Sequence, residues 1–138
     1  MRTAILLIAH GSRRPEANAD LAHLAHALRE RCADEIVEVG FLELAEPSIP
    51  AGARRCVEQG ARRVRMLPYF LSAGRHVQED LLQFQQQLQA EHPGVNFELC
   101  PHLGLHPQMV EIVLDRLAGS TASLISSSAT AAIRPPSA

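Results

Sequence analysis

RVRMLPYFLSAGRHVQEDLL, residues 63–82, reads as a buried strand that runs through a small-residue turn into the opening of a helix. Val64, Met66, Leu67, Tyr69, Phe70 and Leu71 form an apolar run too short to cross a membrane and rich enough for a central parallel strand, covered on both faces. Pro68 sits awkwardly in that run, because proline lacks the ladder N–H and is tolerated in sheets mainly at edges or bulges. Ser72, Ala73 and Gly74 turn the chain, and Arg75 and His76 follow at the predicted helix start. In open parallel sheets ligands bind just beyond the carboxyl ends of the strands, so a functional histidine is expected at this junction.

The same pattern recurs on both sides. Upstream, AILLIA at 4–9 is a continuous apolar run, a first strand closed by His10, Gly11 and Ser12. Arg13-Arg14-Pro15-Glu16 opens a helix, and Leu21, Leu24, Ala25 and Leu28 mark one face of it to about Arg31. EIVEVGFLEL at 35–44 is β-branched and partly alternating, which predicts a second strand with Glu43 near its end. Glu46-Pro47-Ser48-Ile49-Pro50 starts a second helix through Cys56, Val57 and Gln59, and Gly60 stops it. Downstream, the third helix spans about Gly74 to Glu91 on a stripe of Val77, Leu81, Leu82, Phe84 and Leu88. VNFELC at 95–100 is a fourth strand, followed by a loop with His102 and His106 and an amphipathic helix carrying Met109, Val110, Ile112, Val113 and Leu117.

Strands alternating with helices at this spacing predict an α/β fold with a four-stranded parallel sheet built from right-handed βαβ units. The domain is expected to cover 1–118. The Ser/Ala-rich stretch 119–138 has a composition that packs poorly and reads as a disordered tail.

The totals exclude several classes of function. At 138 residues the chain holds one domain with a real core. A net charge of -2 supplies no global pull toward nucleic acid or anionic membrane, and 4% aromatics with no tryptophan offers no stacking platform for single strands. Cys32, Cys56 and Cys100 are odd in number and contain no CxxC pair, which argues against a disulfide framework and favours a reducing cytoplasm. The N-terminal apolar run is too short for a signal peptide, and no stretch reaches membrane-spanning length. No GxGxxG, GxxxxGK[ST] or GxSxG is present.

What remains is a set of strand ends. His10 follows the first strand, Glu43 the second and His76 the third, while His102 and His106 lie in the fourth loop. Parallel strands end on one edge, so residues distant in sequence become neighbours in space. Two neutral imidazoles and a carboxylate with open positions suit a borderline divalent ion such as Co²⁺, Fe²⁺, Ni²⁺ or Zn²⁺. A histidine after a strand also serves as an ordinary donor to loop carbonyls, so spacing alone does not establish the site. Arg13, Arg14 and Arg75 cluster toward the same edge, beside helix starts with unpaired N–H groups, and that rim reads as an anion receptor. Ser12, Ser72 and Gly74 are expected to line it with them. His23, His26 and His92 fall on polar helix surface or at a helix end and receive no role.

Four ordered blocks, LLIAHGSRRPEAN, GFLELAEPSIP, LPYFLSAGRHVQEDL and HLGLHPQMVEIV, carry a resemblance to the small chelatases of the CbiX/SirB type, from Leu6 to about Leu117. Those enzymes insert a divalent metal into sirohydrochlorin on the way to cobalamin or sirohaem. The resemblance implies a single flavodoxin-like lobe, like one half of the two-lobed class II chelatases, pairing as a homodimer. It implies His10 and His76 as the metal-handling pair, with Glu43 as their acidic partner. Gln78-Glu79 stands where the family more often has Lys-Asn, and His102 where a small or apolar residue is common.

The implied activity is a cobaltochelatase or ferrochelatase, with cobalt expected first and iron next. The metal would be a substrate, and no cofactor would be tightly held. The arginines would orient the carboxylates of sirohydrochlorin, and no nucleic acid or membrane partner is expected. A non-catalytic metal or tetrapyrrole carrier using the same cleft is the alternative. A flavin- or nucleotide-binding module is disfavoured by the missing phosphate loop.

Overall fold

The computed structural model describes residues 2–104 and 106–120. Its elements alternate in chain order: β1 Arg2–Ala9, α1 Pro15–Arg31, β2 Ile36–Phe41, α2 Ile49–Glu58, β3 Ala61–Pro68, α3 Arg75–Glu91, β4 Asn96–Leu99 and α4 Gln108–Ala118. All pairings are parallel and the strand order is β2-β1-β3-β4, so β1, with its apolar run from Ala4 to Ala9, lies inside the sheet between β2 and β3. The α/β class and the four-stranded parallel sheet expected from the sequence are what the chain forms. The chain divides into two units, one to Gly104 and one from Leu105.

Within the first unit the sheet is covered on both faces. Ala4, Leu6 and Ile8 of β1 and Val64 and Met66 of β3 pack with Ile49, Ala53 and Cys56 of α2 and Leu81 and Leu88 of α3. Leu7 of β1 faces the other way, with Val37 and Phe41, against Leu21 and Ala25 of α1. This two-sided burial is why AILLIA has no polar alternation. Burying a thiol among these side chains pushes Cys56 up to about 12, so it stays a neutral core residue. A Cβ on Gly52 would stand 2.3 Å from the Val39 carbonyl oxygen, so α2 reaches the sheet this closely only with glycine there.

Two expectations need correction. The third strand ends at Pro68, so Tyr69, Phe70 and Leu71 are loop residues. Tyr69 N–H still donates to the Ile8 carbonyl at 2.7 Å, which keeps the chain on course after the strand. Pro68 is tolerated because β4 ends at Leu99, opposite Met66, and leaves no neighbouring strand to require its missing N–H. Leu82, predicted as core, is 48% exposed, because the period of α3 directs Leu81 and Leu88 inward instead. The fourth helix forms where Met109, Val110, Ile112, Val113 and Leu117 place it. The predicted tail lies outside the described residues from position 121 onward.

Both outer strands have backbone groups on their free edges engaged by side chains. On β2, Arg29 of α1 donates from Nε and one terminal nitrogen to the Val37 carbonyl, at 3.1 and 2.6 Å. On β4, Gln85 Nε2 donates to the Phe97 carbonyl at 2.9 Å, while Gln89 accepts from the Phe97 N–H at 3.0 Å and donates to the Val95 carbonyl. The two glutamines lie one turn apart on α3 and act as a surrogate strand, satisfying groups that an edge would otherwise expose.

Across the α1 face, Arg65 donates to Glu35, which also accepts from Thr3 Oγ1 at 3.0 Å, and Arg63 pairs with Glu98. The Arg65 hydrogen bond, more than the Thr3 one, holds the Glu35 carboxyl below its ordinary 4.5, against the opposing effect of partial burial. A carboxyl depressed by folding contributes stability that is complete above its ordinary value and is lost as pH falls through its folded value. Wild type is therefore expected to be more stable than Glu35→Gln at pH 7, with the gap closing below about pH 4.5, as read by urea unfolding across pH. Gln89→Ala is expected to cost about 1–2 kcal/mol in the same assay, from hydrogen bonds lost at the β4 edge, whereas Gln86→Ala, exposed on the same helix, changes little.

Candidate active site

The ends of β1 and β2 are locked together by main chain. Leu42 N–H donates to the Ala9 carbonyl and Glu43 N–H to the His10 carbonyl, both at 3.0 Å. The approach depends on Gly11, whose φ is +93° and where a Cβ would fall 1.8 Å from the Glu43 carbonyl oxygen. His10 and Glu43 are thereby fixed side by side. Leu44 follows with φ at 64°, a conformation costly for a leucine, and leaves its side chain 53% exposed on the rim.

The His10 ring rests on Phe70, with centroids 4.6 Å apart and planes at 31°. Phe70 is buried, so the imidazole is backed by core while remaining exposed itself. The loop on the α1 side is held by Asn18, which accepts from the Ser12 N–H at 2.9 Å and donates to the Ser12 carbonyl at 2.8 Å. Ser12 Oγ accepts from Arg14 N–H at 3.0 Å.

Two clefts meet at His10. One, of about 420 Å³, has His10, Leu42 and Glu43 on the strand-end wall and Val77, Asp80, Gln83, Phe84 and Gln87 on the α3 wall. The other, about 440 Å³, runs between the start of α1 and the loop after β3, with Ser12, Asn18, Tyr69 and Ser72 in its lining. Of the residues expected from sequence, His10 and Glu43 share the first cleft, and Ser12 and Ser72 share the second with His10.

His76 lines neither of these clefts. It is exposed as the second residue of α3, where the helical period puts it above Asp80, Gln83 and Gln87 on one stripe. Among the described residues no group of three or more His, Cys, Asp or Glu side chains is gathered as for a closed metal cage. Arg14 pairs with Glu16 at 3.1 Å and Arg75 approaches Glu79 at 3.7 Å, all four side chains exposed, so these arginines lie on the outer rim and not in the lining of either cleft. Arg13 is likewise exposed. Gly74 precedes α3 as its cap, and a Cβ there would meet nothing within 4 Å, so sterics alone do not require glycine at that position. His102 belongs to a separate cleft of about 200 Å³ with Pro68, Leu81 and Cys100, and His106 Nδ1 accepts from the Gln108 N–H in the second unit.

Sequence reading missed Asp80, Gln83, Gln87 and Asn18. The first three, with Val77 and Phe84, recur at helical spacing, and that stripe was the available signal.

The family model CbiX matches residues 4–120. A chloroplastic sirohydrochlorin ferrochelatase of Arabidopsis thaliana is 37% identical over 113 residues, which are 82% of this chain and 50% of the relative. Among solved structures, a CbiX protein of cobalamin (vitamin B12) biosynthesis from Marinobacter aquaeolei VT8 superposes with a TM-score of 0.74 at 30% identity, covering 91% of this chain and 99% of that one. The sirohydrochlorin chelatase SirB from Bacillus subtilis subspecies spizizenii, in complex with cobalt, superposes with a TM-score of 0.78 at 28% identity, over 85% of this chain and 50% of SirB. The chain spans about half the length of the first curated relatives it matches. The family match runs through every strand and helix that shapes the two clefts, and the chain belongs to the CbiX family.

Proposed function

We propose that this chain inserts a divalent metal ion, cobalt or iron, into sirohydrochlorin. The observation that carries the reading is the pairing of His10 and Glu43 at adjacent strand ends in one open cleft of a CbiX-family lobe. Relatives named as sirohydrochlorin cobaltochelatases and ferrochelatases support the substrate, and the cobalt complex of SirB supports the ion. The metal is then a substrate and leaves with the product, and no resident cofactor is required.

The chemistry follows from how little holds the ion. A cage of four ligands would retain the metal, whereas one or two imidazoles and exchangeable waters let pyrrole nitrogens replace them. His10 offers a lone pair on a ring backed by Phe70. His76, on a helix start at the rim, is the second imidazole of this proposal and would meet the ion before or during transfer. Glu43 is the base that takes a pyrrole proton within hydrogen-bond reach. Arg13, Arg14 and Arg75 on the rim would steer the carboxylated macrocycle, and Ser12 and Ser72 would contact it in the second cleft.

A second copy completes the site in this reading. One lobe covers one face of a flat macrocycle, and this chain corresponds to half of SirB, so a homodimer would supply the opposite wall. Three free thiols support a reducing, cytoplasmic setting.

The test is direct. Purified protein with sirohydrochlorin and Co²⁺ or Fe²⁺ is expected to shift the visible spectrum of the macrocycle faster than metal alone, and no acceleration with either ion, or with Ni²⁺, sinks the proposal. His10→Ala and Glu43→Gln are each expected to slow insertion on the order of 100-fold, the scale of a positioned proton-transfer group, with melting unchanged because both residues are exposed. A carrier would instead hold one equivalent of metal through dialysis without turnover. Light scattering at micromolar concentration checks the dimer, and a fully active monomer refutes it.

A further inference from the structure

We propose that Asp80 is the second proton acceptor of metal insertion, facing Glu43 across the cleft; the inference rests on the chelatase reading above. The balance of the reaction gives such a group a task. Two pyrrole N–H bonds break, the metal exchanges water for nitrogen ligands, its oxidation state does not change, and two protons must leave. His10, once its lone pair is given to the ion, cannot take either of them. Of the residues lining the cleft, Leu42, Val77 and Phe84 are apolar and Gln83 and Gln87 are amides without basicity. Only Glu43 and Asp80 remain.

Their positions fit the division of labour. Glu43 stands beyond the end of β2, and Asp80 stands on α3, which forms the opposite wall. Among the described residues neither carboxylate is engaged by a hydrogen bond or ion pair, whereas the adjacent Glu79 is taken up by Arg75. Asp80 lies one turn below His76 on the same stripe of α3, between that helix start and the cleft wall. The two acceptors thus act on the macrocycle from two sides, and each has solvent behind it to carry its proton away.

The variants are Asp80→Asn, Asp80→Glu and, as a charge control far from the cleft, Glu58→Gln at the end of α2. Three readouts are taken: metal-free sirohydrochlorin binding by absorbance titration, steady-state insertion with Co²⁺, and thermal melting. Expected for Asp80→Asn is binding within about twofold of wild type, kcat lowered at least about 10-fold, and an unchanged melt. Asp80→Glu is expected to recover part of kcat, and Glu58→Gln to match wild type. Asp80→Asn turning over within twofold of an active wild type overturns the proposal, as does a loss that follows macrocycle affinity instead of kcat. An inactive wild type overturns the chelatase reading itself, so the two failures are distinguishable.

Discussion

The hydrogen bond from the Glu43 N–H to the His10 carbonyl can form only because residue 11 carries no side chain. Everything the cleft offers depends on that closeness. Two parallel strands that pair along their length still diverge once the ladder ends, and the loops after them ordinarily part toward solvent. Here the contact extends past the last rungs of β1 and β2, so an imidazole and a carboxylate that are 33 residues apart share one wall. The left-handed turn at Leu44, immediately after, is the strain that such a tight approach leaves behind.

The two walls differ in kind. His10 and Glu43 follow strands whose residues Leu6, Leu7, Ile8, Val37 and Phe41 are buried, so their backbone is anchored on the core. Asp80, Gln83 and Gln87 come from one stripe of a helix that packs on the same face of the sheet through Leu81 and Leu88. Val77 and Phe84 of the same helix also pack against that core, and Gln85 and Gln89 tie it to the β4 edge.

Much of this was legible in the sequence because parallel sheets write themselves as continuous apolar runs. AILLIA could be placed within two residues, and the helix from Pro15 to Arg31 at both ends, since proline and an amphipathic period speak locally. The end of the third strand was misplaced because Tyr69, Phe70 and Leu71 are as apolar as a strand interior. What ends it is the length of its neighbour β4, which no local pattern records. The same limit governed the site. His10 and Glu43 could be found because strand ends converge by topology, but Asp80 faces them across a cleft, and its membership depends on which face of α3 turns to the sheet. Leu82 was misassigned for the mirror of that reason, its helix phase being one position off the buried line.

The closed edges of the sheet bear on how such a lobe can live beside another. Arg29 caps the Val37 carbonyl on the open side of β2, where Pro47 also takes the Phe41 N–H, and Gln85 with Gln89 cap the open side of β4. During synthesis, two like lobes on one polypeptide face the danger that a strand of one inserts into the sheet of the other, since their sequences specify compatible registers. A lobe that fills its own margins with side chains from its own helices removes the template for that error. Edges capped in this way favour each of two neighbouring copies folding on itself.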